Sequence, residues 1–257
     1  MSSPETIRTP SSLNRFTGAA TRFLFPSTCL ACHTEPVVET FRGGVCDGCW
    51  SRLPALAAQR CDVCDVPLPA FEAVRCGRCI LDPPPFDSLR GFAPYRGSAR
   101  RILLAFKFRG ADYLAVRLAR LMAQRLPLTE SVKEVTAVPA SPRSRWRHDH
   151  AAELLARAVS KELGLPFSRR RLEKTRATDQ QSRLPYTDRV DNVRGAFQGR
   201  GICPERVLLV DDVATSGATA GECAQALREI GAKNVDVWCF ARASREDALA
   251  DWQPENA

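Results

Sequence analysis

Residues 207–220 read VLLVDDVATSGATA, and this stretch decides the fold. Four large apolar residues lead into two adjacent acids, Asp211 and Asp212, and small, hydroxyl-bearing and glycine residues follow. A short apolar run bounded by turn residues is typical of a buried strand, and an amphipathic run is typical of a helix. We therefore predict a buried strand whose apolar residues 207–210 run into the two acids at its end, a loop over 214–219, and a helix over 220–230.

The predicted loop has the composition of an anion-binding site. Backbone N–H groups at a helix start, with the positive end of the helix dipole, attract anions. A glycine lets the backbone approach a phosphate closely, and hydroxyl side chains add donors. The candidate phosphate contacts are Thr215, Ser216, Gly217, Ala218 and Thr219. Two adjacent acids can accept hydrogen bonds from vicinal hydroxyls, so a sugar phosphate fits both parts. The alternative is an ordinary strand–turn–helix with a capping threonine.

The same segment resembles the loop that binds 5-phosphoribosyl 1-pyrophosphate (PRPP) in the type I phosphoribosyltransferases. A P-loop is excluded because no Gly-Lys-Ser/Thr follows. The resemblance covers fourteen residues, with Ala214 where a larger aliphatic residue is usual and Ser216 where threonine is common. It implies that Asp211 and Asp212 are the catalytic acids that hold the ribose hydroxyls, that the loop holds the 5-phosphate, and that Mg²⁺ binds together with PRPP.

Eight cysteines form four Cys-x-x-Cys pairs in the first third of the chain. Two such pairs place four thiolates around one zinc ion, and a site saturated with sulfur is structural. We therefore predict two structural Zn²⁺ sites rather than disulfides. Neighbouring pairs combine most simply, and a cross-braced arrangement also fits the spacing. The predicted ligands are Cys29, Cys32, Cys46, Cys49, Cys61, Cys64, Cys76 and Cys79.

The length and the apolar content bound the class of protein. A chain of 257 residues with 44% hydrophobic residues can form one large or two small globular domains. It contains no uninterrupted run of about 18 apolar residues, so we expect no membrane insertion. The N-terminal residues do not have the pattern of a signal peptide, and we therefore expect a cytoplasmic protein.

The formal net charge of +8 is concentrated in the middle of the chain, between residues 91 and 200. A basic surface attracts an anionic substrate or a nucleic-acid backbone, or it is simply a solvated face. Residues 143–150 read RSRWRHDH. In this loop Arg145 and Arg147 are candidate contacts to pyrophosphate, with Lys107 as a third. The same arginines beside Trp146 can instead bind single-stranded nucleic acid by charge and stacking, or form an exposed basic turn.

Other segments predict an α/β domain around the central motif. We expect helices over 100–108, 113–126 and 151–163, and strands over 134–138 and 234–242. The polar segment 178–197 is interpreted as a flap over the substrate or as a disordered excursion. Three cysteines outside the Cys-x-x-Cys pairs are expected to be buried small hydrophobic residues, namely Cys203, Cys223 and Cys239.

The order of these motifs resembles the ComF family over residues 29–242. The matching positions are the four Cys-x-x-Cys pairs, the KFRG segment, VPASPRSR, Thr178, Gln181, Leu184, Arg189, Asn192, Phe197 and the VDDVATSGAT loop. After Arg147 the chain reads His-Asp-His-Ala, where many members have Gly-Phe-Asn-Gln. The resemblance implies a double zinc ribbon before a type I phosphoribosyltransferase-like parallel sheet flanked by helices. It also implies DNA uptake, with single-stranded DNA and a DNA-uptake helicase as partners.

These expectations divide the chain and leave three function classes open. We predict a disordered segment or short helix over 1–26, the double zinc ribbon over 27–82, the phosphoribosyltransferase-like domain over 86–243, and a polar tail over 244–257. The function classes are a phosphoribosyltransferase that releases pyrophosphate, a PRPP- or nucleotide-responsive regulator without catalysis, and an accessory protein that handles single-stranded DNA.

Overall fold

The computed structural model describes residues 27–37, 44–69, 74–140, 150–176, 178 and 188–243, with the backbone alone at 27 and 188–190. The predictions for 1–26 and 244–257 lie outside these residues. So do Arg145, Arg147 and residues 179–187 of the predicted flap.

Seven helices and nine strands are formed by the described residues. The helices are α1 (Asp47–Ser51), α2 (Gly77–Leu81), α3 (Gly97–Phe108), α4 (Leu114–Arg125), α5 (Ala151–Leu163), α6 (Asp188–Val193) and α7 (Ala218–Glu229). The strands are β1 (Ser27–Thr28), β2 (Pro36–Val37), β3 (Ser88–Pro94), β4 (Glu134–Ala137), β5 (Phe167–Ser168), β6 (Leu172–Lys174), β7 (Phe197–Gly199), β8 (Arg206–Ala214) and β9 (Asn234–Arg242).

The central sheet has five parallel strands in the order β3-β9-β8-β4-β5. Its two middle strands, β8 and β9, are apolar on both faces, as expected for a parallel sheet covered by helices on both sides. The side chains of Leu208 and Val210 join one core cluster, and those of Val207 and Leu209 join the other. The predicted fold class, a parallel sheet flanked by helices after a zinc-ribbon module, is confirmed.

The strand β8 extends past the two acids that were predicted to end it. It remains paired with β9 as far as Ala214, opposite Arg242. Its other neighbour, β4, ends at Ala137, opposite Val210. The two acids that follow Val210 therefore lie within β8, where the strand has lost one of its neighbours.

Most of the other predicted elements are found, with shifts at their ends. Helix α5 and strand β9 have the predicted bounds. Helix α3 begins at Gly97 rather than at residue 100, and helix α7 begins at Ala218 rather than at residue 220. The three remaining cysteines are buried, as predicted: Cys203, Cys223 and Cys239.

The described part of segment 178–197 is packed rather than disordered. Strands β6 and β7 pair antiparallel, with Lys174 opposite Phe197. Val193 and Ala196 are buried in the second core cluster, which also contains residues of α7. The interpretation as a disordered excursion is therefore wrong for residues 191–197.

Nothing in the described ranges forms a helix with the length and apolarity that a membrane crossing requires.

The first module, which contains the cysteines from Cys29 to Cys49, and the second module, which contains those from Cys61 to Cys79, belong to different core clusters. Cys29, Cys46 and Cys49, with Trp50, lie in the cluster that contains residues of α3, α4 and α5. Cys61, Cys64 and Cys79 lie in the cluster that contains Phe86, Leu89 and residues of α7. The two modules are thus packed against different parts of the same sheet domain.

Candidate functional site

The acid pair lies at the carboxyl end of β8. Asp212 is 7% exposed, and its backbone N–H donates a hydrogen bond of 2.8 Å to Oδ1 of Asp211, which is half-buried. Nζ of Lys107, from the last turn of α3, lies 2.8 Å from Oδ2 of Asp212. The carboxyl ends of the strands in an open parallel sheet are where ligands usually bind. The pair is therefore placed as a ligand site requires, with a cation beside it.

Burial and neighbouring charges change the proton affinity of these groups. Burial and the negative charge of Asp212 raise the pKa of Asp211 to about 7, although the positive charge of Lys107 opposes this shift. Burial alone lowers the pKa of Lys107, but the carboxylates of Asp212 and Asp211 outweigh it and raise that pKa. The Lys107 ammonium therefore stays charged at neutral pH, whereas the Asp211 carboxyl group is only partly ionised there.

The loop after the acids turns at a glycine that has a left-handed backbone. Gly217 is the N-cap of α7 with φ 79°, a conformation that side chains with Cβ rarely adopt. Ser216 is buried, and its hydroxyl accepts a hydrogen bond of 3.3 Å from the Ala218 N–H. Thr215 and Thr219 are half-buried. The residues predicted to contact phosphate thus form one continuous turn at the start of α7.

Lys107, a predicted contact to pyrophosphate, pairs with Asp212 of the acid pair. Its contact with pyrophosphate stays a prediction. The Lys107–Asp212 pair joins the end of α3 to β8, which are far apart in sequence, so no local pattern indicates it. The other candidate pyrophosphate contacts, Arg145 and Arg147, lie outside the described residues.

A cavity of about 690 Å³ adjoins the carboxyl end of β4, next to the acid-bearing strand. The two strands are joined there by a hydrogen bond of 3.0 Å from the Val138 N–H to the Val210 carbonyl. The cavity has the size of a small-molecule site. Its lining combines the apolar residues 137–140 and Leu172 with four Arg or Lys side chains, and two of these are paired with acids, Arg169 with Glu153 at 2.8 Å and Arg200 with Glu173.

The eight predicted zinc ligands form two clusters of four. The sulfur atoms of each cluster lie within 4.8 Å of one another. The Cys29–Cys49, Cys32–Cys46 and Cys64–Cys76 Sγ distances are 3.9, 3.8 and 3.6 Å. Tetrahedral zinc with Zn–S bonds of about 2.3 Å requires sulfurs about 3.8 Å apart. The thiolates therefore fit one zinc ion in each cluster.

Neighbouring Cys-x-x-Cys pairs combine, which settles the alternative that the spacing left open. Cys29 and Cys32 join Cys46 and Cys49, and the four later cysteines form the second cluster. Backbone N–H groups of Cys46 and Cys76 donate to the sulfurs of Cys29 and Cys61, each at 3.3 Å. Such donors stabilise thiolates. His33 belongs to neither cluster, and its ring lies 3.4 Å from the Arg109 guanidinium.

These features define a class of protein: a double zinc ribbon joined to a parallel α/β domain that has an acid pair in one strand and a glycine at the start of the next helix. Residues 20–80 match the model of the double zinc ribbon domain. The chain is 31% identical to competence protein F of Haemophilus influenzae over 153 residues, which are 55% of this chain and 67% of that protein. It is 31% identical to DNA utilization protein YhgH of Escherichia coli K12 over 163 residues, 58% of this chain and 70% of that protein.

The chain belongs to the family of competence protein F and DNA utilization protein YhgH. The predicted membership of the ComF family is therefore confirmed. The matches span about two thirds of these relatives, from 63% of the Salmonella typhi YhgH protein to 70% of the E. coli K12 protein.

Two solved structures show a weaker similarity. Glutamine PRPP amidotransferase from Bacillus subtilis, complexed with ADP and GMP, gives a TM-score of 0.35 at 23% identity, over 50% of this chain and 26% of that one. Purine phosphoribosyltransferase from Pyrococcus horikoshii gives a TM-score of 0.30 at 18% identity, over 51% and 73%. Superpositions with TM-scores this low establish neither fold nor function.

Proposed function

We propose that this protein binds PRPP together with Mg²⁺ at the carboxyl end of β8. We also propose that it acts in competence or DNA utilization, as the names of its relatives indicate. One observation carries the proposal: an acid pair in the strand is followed directly by a glycine-capped helix start. The carboxylates of the pair can accept hydrogen bonds from vicinal ribose hydroxyls, and the N–H groups at the helix start can donate to a phosphate. The two parts can therefore bind the two ends of a phosphoribosyl group.

Each part of the site then has a chemical role. Asp211 and Asp212 accept hydrogen bonds from the ribose hydroxyls, and residues 215–219 hold the 5-phosphate. Carboxylate oxygens beside substrate phosphates are typical Mg²⁺ ligands, so the acid pair fits that ion. When bound, Mg²⁺ supplies positive charge to the pyrophosphate and ribose oxygens. Lys107 adds a fixed cation beside the pair. Arg145 and Arg147 are proposed to contact the pyrophosphate.

Transfer of the phosphoribosyl group would proceed by positioning and charge stabilisation. The C1–O bond breaks and its electron pair leaves with pyrophosphate, through an oxocarbenium-like state. The lone pair of an acceptor, typically a ring nitrogen, forms the new bond to C1, and that nitrogen then loses its proton. Fixed cations near the departing pyrophosphate lower the barrier without taking part in covalent chemistry. This is the enzyme form of the proposal.

A second candidate function, handling of single-stranded DNA, is favoured by the charge distribution. Basic residues exceed acidic residues through the middle of the chain. Helix α4 exposes Arg117, Arg120 and Arg125. Exposed cations attract the phosphate backbone of a single strand. This function is compatible with PRPP binding, because the proposed PRPP site lies at β8 rather than on α4.

Pyrophosphate release separates the enzyme from a regulator that only binds PRPP. We expect the protein to bind PRPP in the presence of Mg²⁺, measured by calorimetry, and to release pyrophosphate when a panel of nucleobases is added. Ribose 5-phosphate should bind more weakly, because it lacks the pyrophosphate that contacts Mg²⁺. Binding without release with every acceptor would favour the regulator, and no binding of PRPP would contradict both forms of the proposal.

The affinity for PRPP is expected to rise with pH. The pKa of Asp211 is raised to about 7 in the free protein, and ribose hydroxyls require its ionised form. Between pH 6 and pH 8 the ionised fraction, and hence the affinity, should rise about tenfold. Calorimetry across this range measures the change, and Asp211→Asn should bind weakly with a smaller pH dependence. An affinity that is equally pH-dependent in both proteins would place the titrating group elsewhere.

The raised pKa of Asp211 makes the stability of the free protein fall with pH, whereas it makes the affinity for PRPP rise. An acid whose pKa is higher in the folded protein than the ordinary 3.8 binds its proton more tightly after folding. The contribution of Asp211 to stability is therefore fully present below pH 3.8 and is lost as the pH rises to about 7. Between pH 6 and pH 7 the affinity for PRPP is thus expected to rise while the stability of the free protein falls.

A further inference from the structure

The second cysteine cluster is one hydrogen bond away from the loop after the acid pair. Arg78 lies in α2, between the cluster residues Cys76 and Cys79, and its Nη1 donates a bond of 2.8 Å to the Ser216 carbonyl. This bond joins residues 138 positions apart in the chain. It connects the turn that presents two zinc ligands to the turn proposed to hold phosphate.

A buried arginine makes a second connection. Arg242, the last residue of β9, is 3% exposed. Its Nε donates a bond of 3.0 Å to the carbonyl of the zinc ligand Cys64. Its Nη1 donates to the Ala214 carbonyl at 3.0 Å and also to the Thr215 carbonyl. One guanidinium thus joins the second cluster to the backbone where β8 ends and the loop begins.

Strand β3 holds the same module in place. The Gly91 N–H donates a bond of 2.8 Å to the carboxylate of Asp65, which is buried next to Cys64. The Leu89 N–H donates a bond of 2.7 Å to the Val63 carbonyl. A Cβ at Gly91 would lie 2.7 Å from Cβ of Arg242, so glycine is required for this arginine to occupy its position.

The first module is attached elsewhere. The Ser98 hydroxyl of α3 donates a bond of 2.6 Å to the Arg52 carbonyl, and the Arg117 guanidinium of α4 covers the Trp50 ring. Its cysteines lie in the core cluster that contains residues of α3, α4 and α5. The two zinc sites therefore have different neighbours, and the turn at 214–217 is hydrogen-bonded to the two arginines that connect it with the second module.

We infer that the second zinc site, through Arg78 and Arg242, positions the phosphate-binding loop. In a trans peptide the C=O group and the next N–H group point in opposite directions. Holding the carbonyls of residues 214–216 toward the second module therefore turns the N–H groups of residues 215–217 the other way. The two guanidinium groups also offset the negative ends of those carbonyls, which would repel an anion. This inference rests on the proposed phosphate binding at 215–219.

The test compares two arginines of the same module. Arg78→Ala removes the bond to the Ser216 carbonyl. Arg75→Ala removes a similarly exposed arginine that pairs with Asp62 at 3.1 Å within the module. Arg78→Lys keeps a charge and a donor. We would measure the zinc content, the hydrogen–deuterium exchange of peptides that cover 214–221, and the affinity for PRPP with Mg²⁺, in all three variants and the unaltered chain.

We expect Arg78→Ala to retain two zinc ions, to exchange the loop amides about tenfold faster, and to bind PRPP about tenfold more weakly, as the loss of one charge-assisted hydrogen bond implies. Arg78→Lys should restore part of both losses, and Arg75→Ala should match the unaltered chain. Loop exchange that is the same in Arg78→Ala and Arg75→Ala would overturn the inference. If the unaltered chain did not bind PRPP, the proposed function would fail, while loop exchange would still decide whether the second module positions the loop.

Discussion

Replacement of both Asp211 and Asp212 by asparagine is expected to abolish the binding of PRPP. Asparagine keeps the size of the side chain but removes the negative charge that strengthens hydrogen bonds from the ribose hydroxyls and attracts Mg²⁺. A hydrogen bond to a charged group contributes about 1.5–3 kcal/mol, so loss of two should weaken binding by about a hundredfold or more. Calorimetric titration with PRPP and Mg²⁺ measures the effect.

The controls for this experiment follow from the Lys107 contact. The double variant leaves a largely enclosed ammonium without its partner at 2.8 Å, which itself destabilises the fold. Adding Lys107→Met should restore the melting temperature without restoring binding. Glu205→Gln, at an exposed acid paired with Lys233, should leave the affinity unchanged. An unchanged affinity in the double variant would refute the assignment of the acid pair.

Removal of zinc is expected to unfold the part of the chain between residues 29 and 80. So short a segment cannot bury enough apolar surface to fold alone, and structural zinc contributes about 10–16 kcal/mol of binding free energy in small zinc domains. A chelator under reducing conditions should release two zinc ions per chain. It should also remove the exchange protection of residues 44–69, while the amides of β8 away from the loop remain protected.

The readouts for zinc removal are metal analysis, circular dichroism and hydrogen exchange by peptide. Readdition of Zn²⁺ should restore all three, whereas Mg²⁺ should restore none, because thiolates prefer the softer ion. Unaltered circular dichroism and exchange after complete removal of the metal would show that the cysteine clusters are not structural zinc sites.

The sequence predicted the elements whose signals are local. The helix at 151–163 ends before a glycine with φ 65°, and the strand at 234–242 is apolar along most of its length, so both bounds were correct. The two metal clusters followed from the spacing of the cysteines. In each case a residue type recurs at an interval that one kind of structure requires.

The sequence missed what depends on contacts between distant segments. Strand β8 extends beyond the two acids because its pairing with β9 continues to Ala214, whereas acids after an apolar run are typical of a strand end. The Lys107–Asp212 contact and the arginine bonds to Ala214 and Ser216 join separate parts of the fold. Which parts of a chain become neighbours depends on the whole packing, so these contacts required the structure.

The way the second module lies along β3 also bears on self-association. An outermost strand with unpaired N–H groups can recruit a strand from another molecule and so begin aggregation. Here the outward N–H groups of Leu89 and Gly91 are both occupied by acceptors from the module. At the opposite border the last strand, β5, has only two residues. With one edge strand covered and the other very short, the sheet presents few backbone groups that could pair with a strand of a second molecule.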